Sequence, residues 1–180
     1  MDACVLYPAH LRDLLLTMAR MDRFRVRWTD RIHEEWIGNL IKNGGNPEKL
    51  ARTRRLMDQA VPDCLITDYE SLIDDLSLPD PDDRHVLAAA IVGKVDVIVT
   101  ANLGDFPREV LDPYNIEAQH PDDFVMYQFD LHPWVYCKAI KDQRARLQNP
   151  PLSVDEFIQL FAKLQMPQTV ARLKSFDSAI

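Results

Sequence analysis

Residues 84–106 read RHVLAAAIVGKVDVIVTANLGDF, and this stretch decides the fold. After Arg84 and His85 its opening is apolar, rich in Ala and free of helix breakers, which predicts a buried helix over residues 84–92. Residues 95–99, VDVIV, form a short run dominated by β-branched residues, the composition of a parallel strand covered on both faces. The run ends at Thr100, and a loop carrying Asn102, Asp105 and Phe106 follows. An acid just past the carboxyl end of a parallel strand stands where open α/β sheets bind their ligands. Phe106 is placed to pack that loop down.

Working outward, apolar residues at Leu11, Leu14, Leu15 and Met18 predict a helix over residues 8–20, opened by a Pro in its first turn. Residues 25–28 are a short strand candidate. Thr29 or Asp30 can cap the next helix, with Ile32, Trp36, Leu40 and Ile41 on one side and His33 on that same apolar side as a core histidine. Gly44-Gly45-Asn46-Pro47 ends it, and another helix runs from Pro47 to about Ala60. A short strand at residues 64–66, a helical turn over 69–76, a Pro-broken loop LPDPDD and an edge strand at 116–118 complete the pattern. Strands alternating with helices imply a doubly wound α/β sheet. From His120 the texture is all-helical, with a capping-box pair at Ser153 and Glu156 and breaks at Pro150-Pro151 and Pro167. The expected division is an α/β domain over residues 1–119 and a helical extension over 120–180 packed on it.

The chain has 180 residues, 47% of them apolar, enough for a real core. No apolar run approaches a bilayer span, and no basic-then-apolar leader is read at the start. Cys4, Cys64 and Cys137 make no metal or disulfide pattern, and are expected as free thiols in a reducing cytoplasm. The net charge of −7 is uneven. Residues 1–60 carry 11 basic against 8 acidic side chains, 61–130 carry 3 against 16, and 131–180 carry 7 against 4. An acidic middle between basic ends fits cations at the centre and phosphates at the rim, although a merely solvated acidic face reads the same way.

Four acids stand at junctions of predicted elements: Asp2 in MDACVLYP, Glu35 in RIHEEW, Asp83 in PDPDDRHVLAAA and Asp105 in VTANLGDF. Carboxylates gathered by a parallel sheet form a hard-oxygen pocket suited to Mg²⁺ or Mn²⁺ and to phosphodiester chemistry. Each has a plainer reading. Asp83 reads equally as a helix N-cap, and Asp80 or Asp82 competes for either role. Asp105 reads as an Asx turn, and Glu35 as a solvated helix acid indistinguishable from Glu34. Thr100 and Asn102 can hydrogen-bond carboxylates or a metal-bound water. No HExxH, nucleotide-binding glycine loop or nucleophile elbow is present. A phospho-receiver pattern is also missing.

Taken together, DACVLYP, RIHEEWIGNL, DPDDRHVLAAA and VTANLGDFP resemble the PIN-domain family of ribonucleases, in particular the VapC-type toxins of toxin–antitoxin pairs. The resemblance covers about residues 2–120, and the tail looks like a helical extension found on one branch. It implies a three-layer α/β/α sandwich with a short parallel sheet. It implies that Asp2, Glu35, Asp83 and Asp105 hold one or two Mg²⁺ or Mn²⁺ ions, with Thr100 and Asn102 orienting the site. It further implies single-stranded or looped RNA as substrate, with Arg84, Arg12, Arg31, Arg52 and Arg55 as phosphate contacts. A VapB-type antitoxin, a homodimer and a cytoplasmic location follow from the same resemblance. A housekeeping nuclease of this fold and a catalytically inactive interaction module are the competing expectations. The family carries a central strand ahead of its first Asp, whereas this sequence opens Met-Asp. A shortened N-terminus or a misplaced start is the expectation for that departure, and Asp2 and activity depend on it.

Overall fold

A computed structural model describes residues 1–176. Its elements run α1 (Ala3–Leu6), α2 (Ala9–Ala19), α3 (Asp30–Lys42), α4 (Pro47–Ala60), α5 (Arg84–Val92), β1 (Val97–Val99), α6 (Arg108–Leu111), β2 (Glu117–Gln119), α7 (Pro121–Leu131), α8 (Pro133–Arg146), α9 (Val154–Lys163) and α10 (Pro167–Ser175). The chain is mostly helical α/β and falls into two compact units: residues 1–7 with 25–120, and residues 8–24 with the chain from Pro121 onward.

In the first unit the helix starts follow local chemistry. Thr29 accepts the Ile32 amide at 3.1 Å to begin α3, and Asn46 accepts the Lys49 amide at 2.9 Å, with Pro47 in the first turn of α4. Helix α5 buries every residue from His85 to Ala90 against Ile66, Tyr69, Leu76, Leu78, Ile98 and Phe106. Strands β1 and β2 are parallel, with Val97 opposite Glu117, Ile98 opposite Ala118 and Val99 opposite Gln119.

The doubly wound sheet expected from the sequence is represented by this two-stranded ladder. The strands expected at residues 25–28 and 64–66 reduce to one parallel bridge, Trp28 with Leu65. Among the described residues, Met1 and Asp2 link the bridge segment to β1. The Met1 ammonium donates to Arg27 O at 2.9 Å and the Asp2 amide to Val99 O at 3.1 Å. Behind them is a small apolar cavity lined by Trp28, Ile32, Ile66, Val86, Ala89 and Ile98 among others. Burial pushes the Met1 amine down from 8.0 to about 6.

His33 is the core histidine its position implied, fully buried. The Trp36 indole N–H, a donor only, donates to His33 Nδ1 at 3.0 Å, so His33 Nε2 carries the hydrogen facing Asp58 at 3.0 Å.

The helical unit contains α2 as well as α7 to α10. Helix α2 packs on α8 and α9, and α10 on α9 and α7. Ser153 and Glu156 form the expected capping box on α9. Asp122, buried at the start of α7, accepts the Gln168 amide (2.8 Å), the Thr169 amide (2.8 Å) and the Thr169 hydroxyl (2.6 Å), capping α10 from another helix. No helix among the described residues is long and apolar enough to cross a membrane.

Candidate metal centre

The site is assembled by two loops that end regular elements. Ahead of α5, Pro81 to Asp83 form a 3-10 turn, and Asp80 Oδ1 accepts the Asp82 amide at 2.8 Å. Asp83, next to the helix, makes no capping bond with its side chain. The choice left open in the sequence is thereby settled: Asp80 caps, and the Asp83 carboxylate is released. After β1, the Thr100 amide donates to Gln119 O at 3.0 Å, extending the ladder. The Asn102 amide donates to Thr100 Oγ1 at 3.0 Å, and the Asp105 amide to Asn102 O at 3.0 Å, turning the chain. Phe106, buried, pins the turn to the core. These loops bring Asp80, Asp83 and Asp105 together, each with an oxygen within 4.8 Å of the others.

Asp2 lies outside this tight triad and is 4% exposed. Its Oδ2 accepts the Thr100 hydroxyl at 2.7 Å and the Cys4 thiol at 2.9 Å. Thr100 thus uses both faces of its hydroxyl, donating to Asp2 and accepting from Asn102. Cys4 Sγ in turn accepts the Ala101 amide at 3.3 Å. Burial, then the Asp2 charge, pushes the Cys4 thiol up to about 12, so it remains a donor. Burial also pushes the Asp83 carboxyl up from 3.8 to about 6, followed by the charges of Asp2, Asp80 and Asp105, against a lowering by His85. Asp2 therefore acts electrostatically on Asp83 from outside the triad.

Glu35 and Glu34, equivalent in the sequence, separate in space. Glu34 is exposed, whereas Glu35 is half-buried. Glu35 Oε1 meets His85 Nε2 at 2.8 Å and Arg31 Nε at 3.4 Å. Asn102 is exposed; its backbone amide donates to Thr100 and its carbonyl accepts the Asp105 amide. Arg84 donates to Pro81 O at 2.9 Å, Arg52 and Arg55 are exposed on α4, and Arg12 is buried on α2 in the helical unit. Sequence reasoning did not assign Asp80 or His85 to the site. Asp80 carried a signal, since it shares the DPDD loop. His85 carried none, because a histidine opening an apolar helix has no spacing that marks it.

Several carboxylates, mutually repelling and without a basic side chain within the triad, form an all-oxygen donor set. That chemistry fits a hard divalent cation and does not fit a thiolate- or imidazole-bound metal.

Residues 1–104 match the PIN domain family, and residues 121–175 match the VapC50 C-terminal domain. A Mycobacterium tuberculosis (strain ATCC 25618 / H37Rv) protein named "Putative ribonuclease VapC50" is 39% identical over 92 residues, 51% of this chain and 54% of that protein. The chain thus spans about half the length of this relative. No solved structure matches.

Proposed function

The chain belongs to the PIN-domain family, and from that premise we propose that it is a metal-dependent endoribonuclease, the toxin of a VapBC-type pair. The observation that carries this reading is the convergence of Asp80, Asp83 and Asp105 beyond the end of β1, with Asp2 tied to Thr100 beside them. The proposed ligands for Mg²⁺ or Mn²⁺ are Asp2, Glu35, Asp83 and Asp105, joined by Asp80. When bound, such an ion supplies charge neutralisation at a phosphodiester and a water acidic enough to attack it. The side chains do the rest. Thr100 and Cys4 fix the Asp2 carboxylate, and Asp80 holds the loop that presents Asp83. Asn102 orients the turn that carries Asp105. Arg31, Arg52, Arg55 and Arg84 are the proposed phosphate contacts, whereas the burial of Arg12 argues against its use for this.

Family membership supports the remaining parts of the proposal. The nuclease domain, in a three-layer α/β/α arrangement, is proposed to lie within residues 1–119, apart from α2, which joins the helical extension that follows. The substrate is single-stranded or looped RNA, whose backbone enters a cleft closed to a duplex. The likeness to the VapC50 protein supports a toxin–antitoxin context, and within it the proposal is a VapB-type antitoxin as partner, a homodimer and a cytoplasmic setting.

The test is cleavage of a mixed single-stranded RNA pool by purified protein with Mn²⁺, with EDTA, and with Asp83→Ala. Metal-dependent cleavage lost in Asp83→Ala is the expected result. A folded protein that binds neither Mn²⁺ nor RNA and cuts nothing would instead identify an inactive interaction module.

A further inference from the structure

His85 is the lone polar side chain in the buried run of α5, 1% exposed. A buried imidazole costs free energy unless its nitrogens find partners. Its Nδ1 has none among the described residues. Its Nε2 meets Glu35 Oε1 at 2.8 Å, joining α5 to α3. A carboxylate oxygen only accepts, so Nε2 carries the hydrogen and donates it. Arg31 Nε reaches the same Oε1 at 3.4 Å. Both donors therefore hold the same oxygen of Glu35, Oε1.

A glutamate on a half-exposed helix face has three rotatable bonds, and ordering it on cation binding costs conformational entropy. A donor fixed in a packed helix removes that cost in advance. The helix concerned is the one that Asp83 immediately precedes, so the placement of Glu35 is tied to that of the triad. We infer that His85 is a positioning residue, which grips Glu35 Oε1 and thereby presents Oε2 to the divalent cation. The inference rests on the reading of this site as a metal-dependent nuclease centre. It adds a role for a histidine that binds no metal itself.

The experiment is Mn²⁺ binding to the full chain by calorimetry, with no RNA present, alongside thermal unfolding of each variant. His85→Leu is expected to weaken Mn²⁺ binding about tenfold or more, the usual cost of removing a group that orients a ligand. His85→Gln, whose terminal amide can stand where Nε2 does, is expected to restore most of the affinity. His85→Asn, too short to reach, is expected to behave like the Leu variant and keeps the comparison available if His85→Leu does not fold. In a Glu35→Ala background, His85→Asn is expected to add no further loss. Equal affinities for the Gln and Asn variants, or a His85→Asn loss undiminished in the Glu35→Ala background, would overturn the role. Asp83→Asn separates the two levels. If it abolishes Mn²⁺ binding while the His85 variants bind normally, the nuclease centre stands and His85 positioning fails. If Asp83→Asn leaves binding intact, the metal-centre reading itself fails.

Discussion

Replacing Asp83 by Asn should stabilise the metal-free protein at pH 8 while destroying cation binding. In the unfolded chain this carboxyl titrates near 3.8, and in the fold near 6. Between those values the folded state holds the extra proton, so stability falls as pH rises through the window, and the full cost is present above about pH 6. For a fully desolvated group such a shift is worth about 3 kcal/mol. Asp83 is only half-buried, so screening reduces this to about 1 kcal/mol. Asn keeps the shape and removes the charge that Asp2, Asp80 and Asp105 oppose. A gain of roughly 1 kcal/mol corresponds to a rise in melting temperature of about 2–4 °C for a chain of this size. The assay is thermal unfolding in EDTA at pH 8 and pH 4.5, repeated with Mn²⁺. The gain should appear at pH 8, shrink at pH 4.5 where the wild-type carboxyl is already protonated, and reverse in Mn²⁺, which stabilises only the protein that binds it. A variant that melts lower than wild type in EDTA at pH 8 would refute mutual repulsion at this cluster.

Other perturbations probe separate parts of the structure. Thr100→Val keeps the side-chain volume but removes the 2.7 Å bond to Asp2, and should cost about 1.5–3 kcal/mol in urea unfolding; an unchanged midpoint would mean that bond carries no stability. Burial lowers the Met1 amine from 8.0 to about 6 in the fold, so the unfolded state holds the extra proton between them and stability should rise by up to about 3 kcal/mol from pH 6 to pH 8. A chain carrying extra apolar residues ahead of Met1 should lose that rise, and an identical slope in both chains would exonerate the amine. Asp122→Ala strips three bonds from the start of α10 and should destabilise the helical unit by about 2 kcal/mol or more, read by proteolysis within residues 121–176; unaltered cleavage there would count against the cap.

The local elements were legible because their causes are local. The helices expected over residues 47–60 and 84–92 occupy those spans, the Ser153–Glu156 pair caps as expected, and of the two candidates Thr29 and Asp30 it is Thr29 that caps α3. A helix closes its bonds four residues away, so period and caps suffice. Strands were less legible. Residues 25–28 and 64–66 have strand composition yet meet at one bridge, because a ladder depends on neighbours distant in sequence.

The same division runs through the candidate site. By itself the sequence determined which stretches are acidic, which elements end beside them and that the candidate ligands are carboxylate oxygens. Only the tertiary structure decided that Asp80 joins Asp83 and Asp105, that Asp2 is held by Thr100 and Cys4, and that Glu35 rather than Glu34 meets His85. Glu34 and Glu35 are adjacent, with the same charge, propensity and helix. What separates them is about 100° of rotation around α3 and a buried imidazole 50 residues further along the chain, a contact that no window of sequence contains.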